Sequence, residues 1–315
     1  MLLNLQKQYN NCEEFVLSAV MRKEYIFMMI AGFFWGSGHP VIRSILTSSN
    51  PHMDSIQIAF LSTLISCFLL LVFVLMTKSL RIKIRRSRGW FLLSAVAGSL
   101  QFGLYPILSY TALSFIPSST NAMIINAAPI LVALLSIVMI KERLSFQGYF
   151  GILIAFIGIT LLVQGLNISA PAGIFPGALF SLGGALITAI YSIIGRKLMK
   201  NHDPIIVSAI GAVFGALILL LISLFTYRIN NLIWADLSHL YLVIYWAVAQ
   251  ALGSLLFFTA MRRLEAPRAS VFMFISPLTA TILSVIFLGE VITTQFLIGS
   301  LFVIIGIIIS QRKAS

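Results

Sequence analysis

The chain has 315 residues, of which 59% are hydrophobic and only 10% charged, with a mean hydropathy of +1.02. A water-soluble domain needs roughly a quarter of its residues charged, so an aqueous surface is excluded and lipid must be the solvent. The net charge of +12 does not point to nucleic acid, because the basic residues sit in short clusters between apolar runs, where membrane topology accounts for them. In lipid only helices and closed barrels satisfy every backbone group. The apolar runs are about 20 residues long and lack alternation, which excludes a barrel and predicts an all-α, polytopic membrane protein.

Residues 1–24 form a polar, mixed tail without the pattern of a removable signal peptide, ending in Arg22 and Lys23 before the first span. Ten apolar runs follow, at 25–47, 55–77, 90–115, 118–140 and 146–166, then 175–198, 204–227, 240–261, 266–288 and 292–310. Most connections are very short, so consecutive helices are expected to be antiparallel neighbours. Residues 167–177 are rich in Asn, Ser, Pro and Gly and read as the linker between two halves, 25–166 and 178–311. Cys12 lies in the tail and Cys67 inside an apolar run, which is no disulfide framework.

Charge sets the orientation. With the N-terminus in the cytoplasm, nineteen lysines and arginines fall on the cytoplasmic side, the largest group between Lys78 and Arg88. Only Arg43 and Arg228 fall on the other. One missed span would invert every later loop, so this bias supports both the helix count and cytoplasmic N- and C-termini in the cell membrane.

The halves are related. Shifting residues 110–162 by 148 positions lays them on 258–310 without a gap. Thr111 meets Thr259, Pro129 meets Pro277, Glu142 meets Glu290, Gln147 meets Gln295, Gly151 meets Gly299 and Gly158 meets Gly306. Each half holds five helices, an odd number, so the two repeats are expected to insert in opposite directions. The flanking charges agree, since Lys141 and Arg143 surround Glu142 whereas Gly289 and Val291 surround Glu290.

Several segments together resemble the drug/metabolite transporter superfamily, and within it the ten-helix EamA-type members. They are Ala31-Gly-Phe-Phe-Trp35-Gly36 and its counterpart Thr188-Ala189-Ile190-Tyr191, Ala122-Met-Ile-Ile-Asn-Ala-Ala-Pro129 followed by Lys141-Glu142-Arg143-Leu144, and Ala269-Ser-Val-Phe-Met-Phe-Ile-Ser-Pro277 followed by Leu288-Gly-Glu290. The order and duplication of these motifs carry the resemblance, which covers almost the whole chain after the tail. It departs where Thr188 takes the place of Trp35. The resemblance implies export or exchange of small organic solutes, such as amino acids, other metabolites or drugs, by alternating access.

All nine acidic residues lie in the tail or at helix ends, which argues against a pump driven through an intramembrane carboxylate. His39 lies about 21 Å along the first helix, within the apolar span. It reads either as a pathway residue and proton switch or as a partner of a neighbouring helix, with Arg43 one turn on and snorkelling outward. Gln101 and Gln250 are amides at matched depth in the third and eighth helices, where lipid makes an unpaired amide costly. A central solute site is therefore expected from Trp35, His39, Gln101, Tyr105, Asn126, Tyr191 and Gln250, suited to a neutral or zwitterionic solute with an apolar part. Interhelical bonds without a ligand are the alternative for each. Pro129 and Pro277 are expected hinge points or packing kinks, and Pro40 and Pro106 further kinks. Glu142 and Glu290, at helix ends, read as capping or loop hydrogen-bonding groups rather than catalytic ones. Tyr25, Trp90, Trp234, Tyr241 and Trp246 read mostly as interface anchors. The competing functions are an intramembrane enzyme, against which the lack of a metal-ligand, nucleophile or cofactor motif argues, and a non-transporting scaffold.

Overall fold

In the computed structural model the residues described are 23–49, 53–77, 90–139, 146–164, 174–226, 237–261 and 272–310. The loop Lys78 to Arg88, Lys141 to Leu144, most of the linker and Trp234 lie outside them. The described residues form helices throughout. In chain order these are α1 (Lys23–Leu46), α2 (Ser55–Met76), α3 (Phe91–Leu113), α4 (Ser118–Ile125 continuing as Ala128–Met139), α5 (Phe146–Gln164), α6 (Ile174–Asn201), α7 (Pro204–Phe225), α8 (Leu237–Met261), α9 (Ile275–Leu288) and α10 (Thr294–Ser310). Seven, α1 to α4 and α6 to α8, are long and apolar enough to cross a membrane. The apolar parts of α5, α9 and α10 are shorter. The chain is thus a multi-pass helical membrane protein. Large side chains such as Phe68, Phe146, Phe175, Phe225 and Phe287 stand exposed on the outside of the bundle, where lipid rather than water suits them.

The helices pack in a regular scheme. α1 lies against α8 and α9, and α6 lies against α3 and α4. α2 packs on α8 while α7 packs on α3, and the pairs α2–α7 and α5–α10 complete the bundle. Advancing every helix by five positions turns each of these pairings into another member of the set.

Small residues set the closest crossings, because in lipid helices associate by backbone approach rather than by the hydrophobic effect. At the α3–α7 crossing a Cβ built on Gly98 would stand 2.0 Å from the Cα of Gly211. At the α5–α10 crossing a Cβ on Gly158 would stand 2.6 Å from the amide nitrogen of Val303. Gly98→Val is therefore expected to force α3 and α7 apart and to cut the monodisperse yield after detergent extraction severely. A normal yield and melting temperature would mean that this crossing is not the tight contact described here.

Two helices are irregular where prolines predict it. Residues Ser99–Leu104 of α3 form a π-helical turn, closed by Tyr105 N–H bonding to Leu100 O. Pro106 has no N–H to offer the carbonyl of Phe102 one turn back, and the hydroxyl of Thr63 on α2 donates to that carbonyl at 3.3 Å. α4 breaks at Asn126–Ala127, just ahead of Pro129. Before Pro277 the chain turns at Met273 and Phe274, within one residue of the matching place in the second set, and α9 begins at Ile275.

Candidate solute site

One end of the bundle gathers the Leu46 end of α1, the Leu113 end of α3 and the Ser118 start of α4 with the Leu288 end of α9, and polar side chains there are thoroughly paired. Arg43 does not snorkel. Its Nη1 donates to Leu113 O at 2.7 Å and to Ile116 O, and its Nε lies 3.5 Å from Glu290 Oε1. Glu290 reaches this position because α9 ends at Gly289, which turns the chain through a left-handed conformation (φ 64°) that other residues adopt at a cost. The Glu290 carboxylate then accepts the N–H and hydroxyl of Ser118 on Oε1 (2.7 and 2.6 Å) and those of Ser119 on Oε2 (3.2 and 2.6 Å). Pro117 before this helix makes no side-chain cap, so α4 is capped from across the bundle. The expectation that Glu290 is a capping group is met, on a different helix from its own.

Beneath this layer lies a second closed network. Asn121 Nδ2 is 3.1 Å from His39 Nδ1 and also points at Ser109 Oγ and O (3.3 and 3.4 Å). Asn121 Oδ1 accepts the Ser181 hydroxyl at 2.6 Å. Because the Ser109 carbonyl can only accept, the amide nitrogen faces it and His39. This assigns Nδ1 of His39 as an acceptor and its proton to Nε2. His39 thus joins α1 to α4, α3 and α6. Asn121, Ser109 and Ser181 were not among the residues singled out by sequence. Asn121 stands in the polar start Ser118-Ser-Thr-Asn121, which reads as a cap rather than as core.

Deeper in the bundle several polar groups are unpaired. Among the described residues, Gln101 Oε1, Gln250 Oε1 and Thr188 Oγ1 are buried there without a hydrogen-bond partner, as are Tyr191 OH and Ser208 Oγ, which face one another; Ser223 Oγ and His239 Nδ1 near the Arg43 end and Trp90 Nε1, Ser94 Oγ and Ser300 Oγ are unpaired too. Counted along their helices from the Arg43 end at 1.5 Å per residue, Gln101, Gln250 and Thr188 all lie roughly 20 Å in, and Tyr191 and Ser208 about 26 Å. Neighbours one turn away fix the directions. Trp246 and Gly253 of α8 press on Gly38 and Trp35 of α1, so Gln250 between them belongs to the stripe facing α1. Tyr105 of α3 packs on Gly184 of α6, and Gln101 precedes it by one turn. Gln250 therefore sits beside α1 and Gln101 beside α6. An unpaired buried polar group costs about 1–3 kcal/mol, so this layer calls for water or a ligand.

Trp35 lies against Phe257 (4.9 Å between centroids) beside a water-sized apolar crevice of about 10 Å³ lined by Met28, Gly32 and Phe272, and Tyr191 meets Phe102 edge-on at 6.2 Å. Asn126 does not offer its amide to the centre, because its Nδ2 donates to Ala122 O in its own turn at 2.8 Å. Two expected interface anchors are core instead. Trp246 is buried with its Nε1 donating to Tyr110 OH at 2.7 Å, and Trp90 is buried and stacked on His202. Tyr241 is exposed as an anchor should be.

Comparison with known proteins agrees with this architecture. The model of the EamA-like transporter family matches twice, over residues 22–164 and 175–311. An uncharacterized transporter of Clostridium kluyveri is 25% identical over 94% of this chain and 96% of its own length. One from Archaeoglobus fulgidus is 27% identical over 92% and 99%. The uncharacterized transporter YvbV of Bacillus subtilis is 25% identical over 89% and 88%. A solved crystal structure, 16% identical, superposes with a TM-score of 0.60 over 91% of this chain and 96% of the other, which speaks to the fold alone. With two matches that together span most of its length, the chain belongs to the EamA-like transporter family.

Proposed function

We propose that this transporter exports or exchanges a small neutral or zwitterionic metabolite by alternating access, using two five-helix repeats of opposite orientation with both termini in the cytoplasm. The observation that carries the reading is a layer of unpaired amides. Polar groups of the Arg43–Glu290 corner satisfy one another, while midway through the bundle Gln101 Oε1, Gln250 Oε1 and Thr188 Oγ1, on three different helices at one depth, have no partner. A central solute would supply what they lack. Trp35 and Tyr105 wall the site, His39 stands above it, and Asn126 marks the break in α4 ahead of Pro129. The family model matching two successive segments and the five-position symmetry of the packing support the repeat arrangement. The nineteen-to-two bias in basic residues supports the orientation, with the Arg43 end outward. Pro129 and Pro277, each following a break, are the proposed hinge points. Amide and hydroxyl groups without a free charge favour amino acids and similar solutes over phosphorylated ones.

A thermal-shift screen of the purified protein against amino acids, nucleotides and cationic drugs tests this. A true solute at 100 times its Kd adds about 2.7 kcal/mol of stability. The hit should then exchange across proteoliposomes, and Gln101→Ala and His39→Ala should slow that exchange. Undiminished exchange in both variants would remove the site.

A further inference from the structure

We infer that Arg43, Glu290 and the Ser118–Ser119 turn are a lock that closes the Arg43 end of the bundle and must part in every transport turnover. The inference rests on the alternating-access reading above. The lock ties the two halves together at one face of the bundle, the face that an alternating-access cycle has to open. Arg43 on α1 and the Leu113–Ser119 corner belong to the first half, and Glu290 follows α9 of the second. Ser284 of α9 adds a further contact, its Oγ lying 2.6 Å from Ser118 Oγ.

The chemistry of the join suits repeated opening. Every contact uses a carboxylate, a guanidinium, a hydroxyl or a helix-end N–H, and water can replace each of these when the end parts. The fixed crossings α3–α7 and α5–α10 are built instead from glycine backbones in direct contact, which water cannot replace. Solvent reaches the charged pair of the lock, behind which Ser118, Ser119 and Ser284 are buried. The Arg43 side chain is 22% exposed and that of Glu290 9%, whereas Asn121, Ser109 and Ser181 in the next layer are at 0–1%. The lock therefore shields the His39 network, and through it the unpaired layer, from one side. Pro117 makes the arrangement conditional. With no cap of its own, the start of α4 is completed only while Glu290 is docked, so its four donors are released to water together.

Two measurements test the lock, both in a background with Cys12 and Cys67 replaced by serine. In the first, Ala122→Cys reports from one turn beneath the lock, at a position now wholly buried. Its labelling by a water-soluble maleimide in nanodiscs should quicken at least tenfold when Glu290→Ala or Arg43→Ala is added. Equal rates in both variants would overturn the lock. In the second, Ser118→Cys with Ser284→Cys places two thiols within bonding reach while keeping Glu290, so it serves even if the first variants fold poorly. Counterflow of a radiolabelled amino-acid mixture should fall at least tenfold on oxidation and return with reductant. A disulfide that leaves the exchange rate unchanged would overturn the lock. Faster labelling in the first measurement, together with no exchange of the mixture even under reductant, would sustain the lock while counting against the amino-acid reading.

Discussion

Replacing Gln101 and Gln250 together by leucine should cut solute exchange ten- to hundredfold while leaving the melting temperature unchanged or higher. The two effects have opposite signs because the two amides do nothing for the empty bundle. Among the described residues neither Oε1 has a partner, although both are shut away from solvent. Exchanging an unsatisfied buried polar group for an apolar one of similar volume is neutral or stabilising. A bound solute would gain roughly 1 kcal/mol from each amide, and 1.4 kcal/mol is a factor of ten. A purely structural pair of interhelical amides predicts the reverse, a fall in stability with exchange largely kept. Thermal unfolding in detergent and counterflow in proteoliposomes, measured on one preparation, separate the two. A lowered melting temperature with intact exchange would sink the proposed site. The single variants should each show about half of the effect in free energy, since the glutamines stand on different helices and face opposite halves.

How far the sequence alone reached depended on the kind of pattern involved. Helix placement was legible because lipid enforces it over long stretches. The run 55–77 became α2 at Ser55–Met76, and 204–227 became α7 at Pro204–Phe225. The breaks near Pro106 and Pro129 were legible because proline leaves a carbonyl unpaired, whereas α1 runs on as one helix through Pro40. The depth of Gln101 and Gln250 followed from counting residues. Direction about the helix axis did not follow, because nearly every face of these helices is apolar and periodicity gives no inside. Trp246 near the start of α8 has the sequence context of an interface anchor, yet it fills the space left by Gly38 and bonds Tyr110. Arg43, one turn from a helix end, has the context of a snorkelling side chain. Its inward turn depends on Glu290, which is 247 positions away in the chain and is aimed by the left-handed turn at Gly289. Pairings of that range leave no local signal.

The asparagines of α4 give the sharpest case, because the one that sequence singles out, Asn126, is not the one that ties the helices together, Asn121. Asn121→Leu is expected to cost about 2–4 kcal/mol, lowering the melting temperature by roughly 5–10 °C, whereas Asn126→Ala should cost under about 1 kcal/mol. Asn126 spends its amide on Ala122 O, within its own turn and partly exposed. Asn121 is wholly buried, and its loss strips partners from His39 and Ser109 on two other helices. Ser181 keeps Gly177 O as a second acceptor at 3.1 Å, which is why the cost is not larger. The His39 contact can be isolated by a double-mutant cycle of Asn121→Leu with His39→Ala. Once Asn121 is gone, His39 has no bond left to lose, so the two changes should be non-additive by about 1 kcal/mol. Additive effects would mean that the Asn121–His39 bond contributes nothing. The inner layer would then rest on the Asn121–Ser181 and Asn121–Ser109 contacts, which join α4 to α6 and α3 but leave α1 free of it.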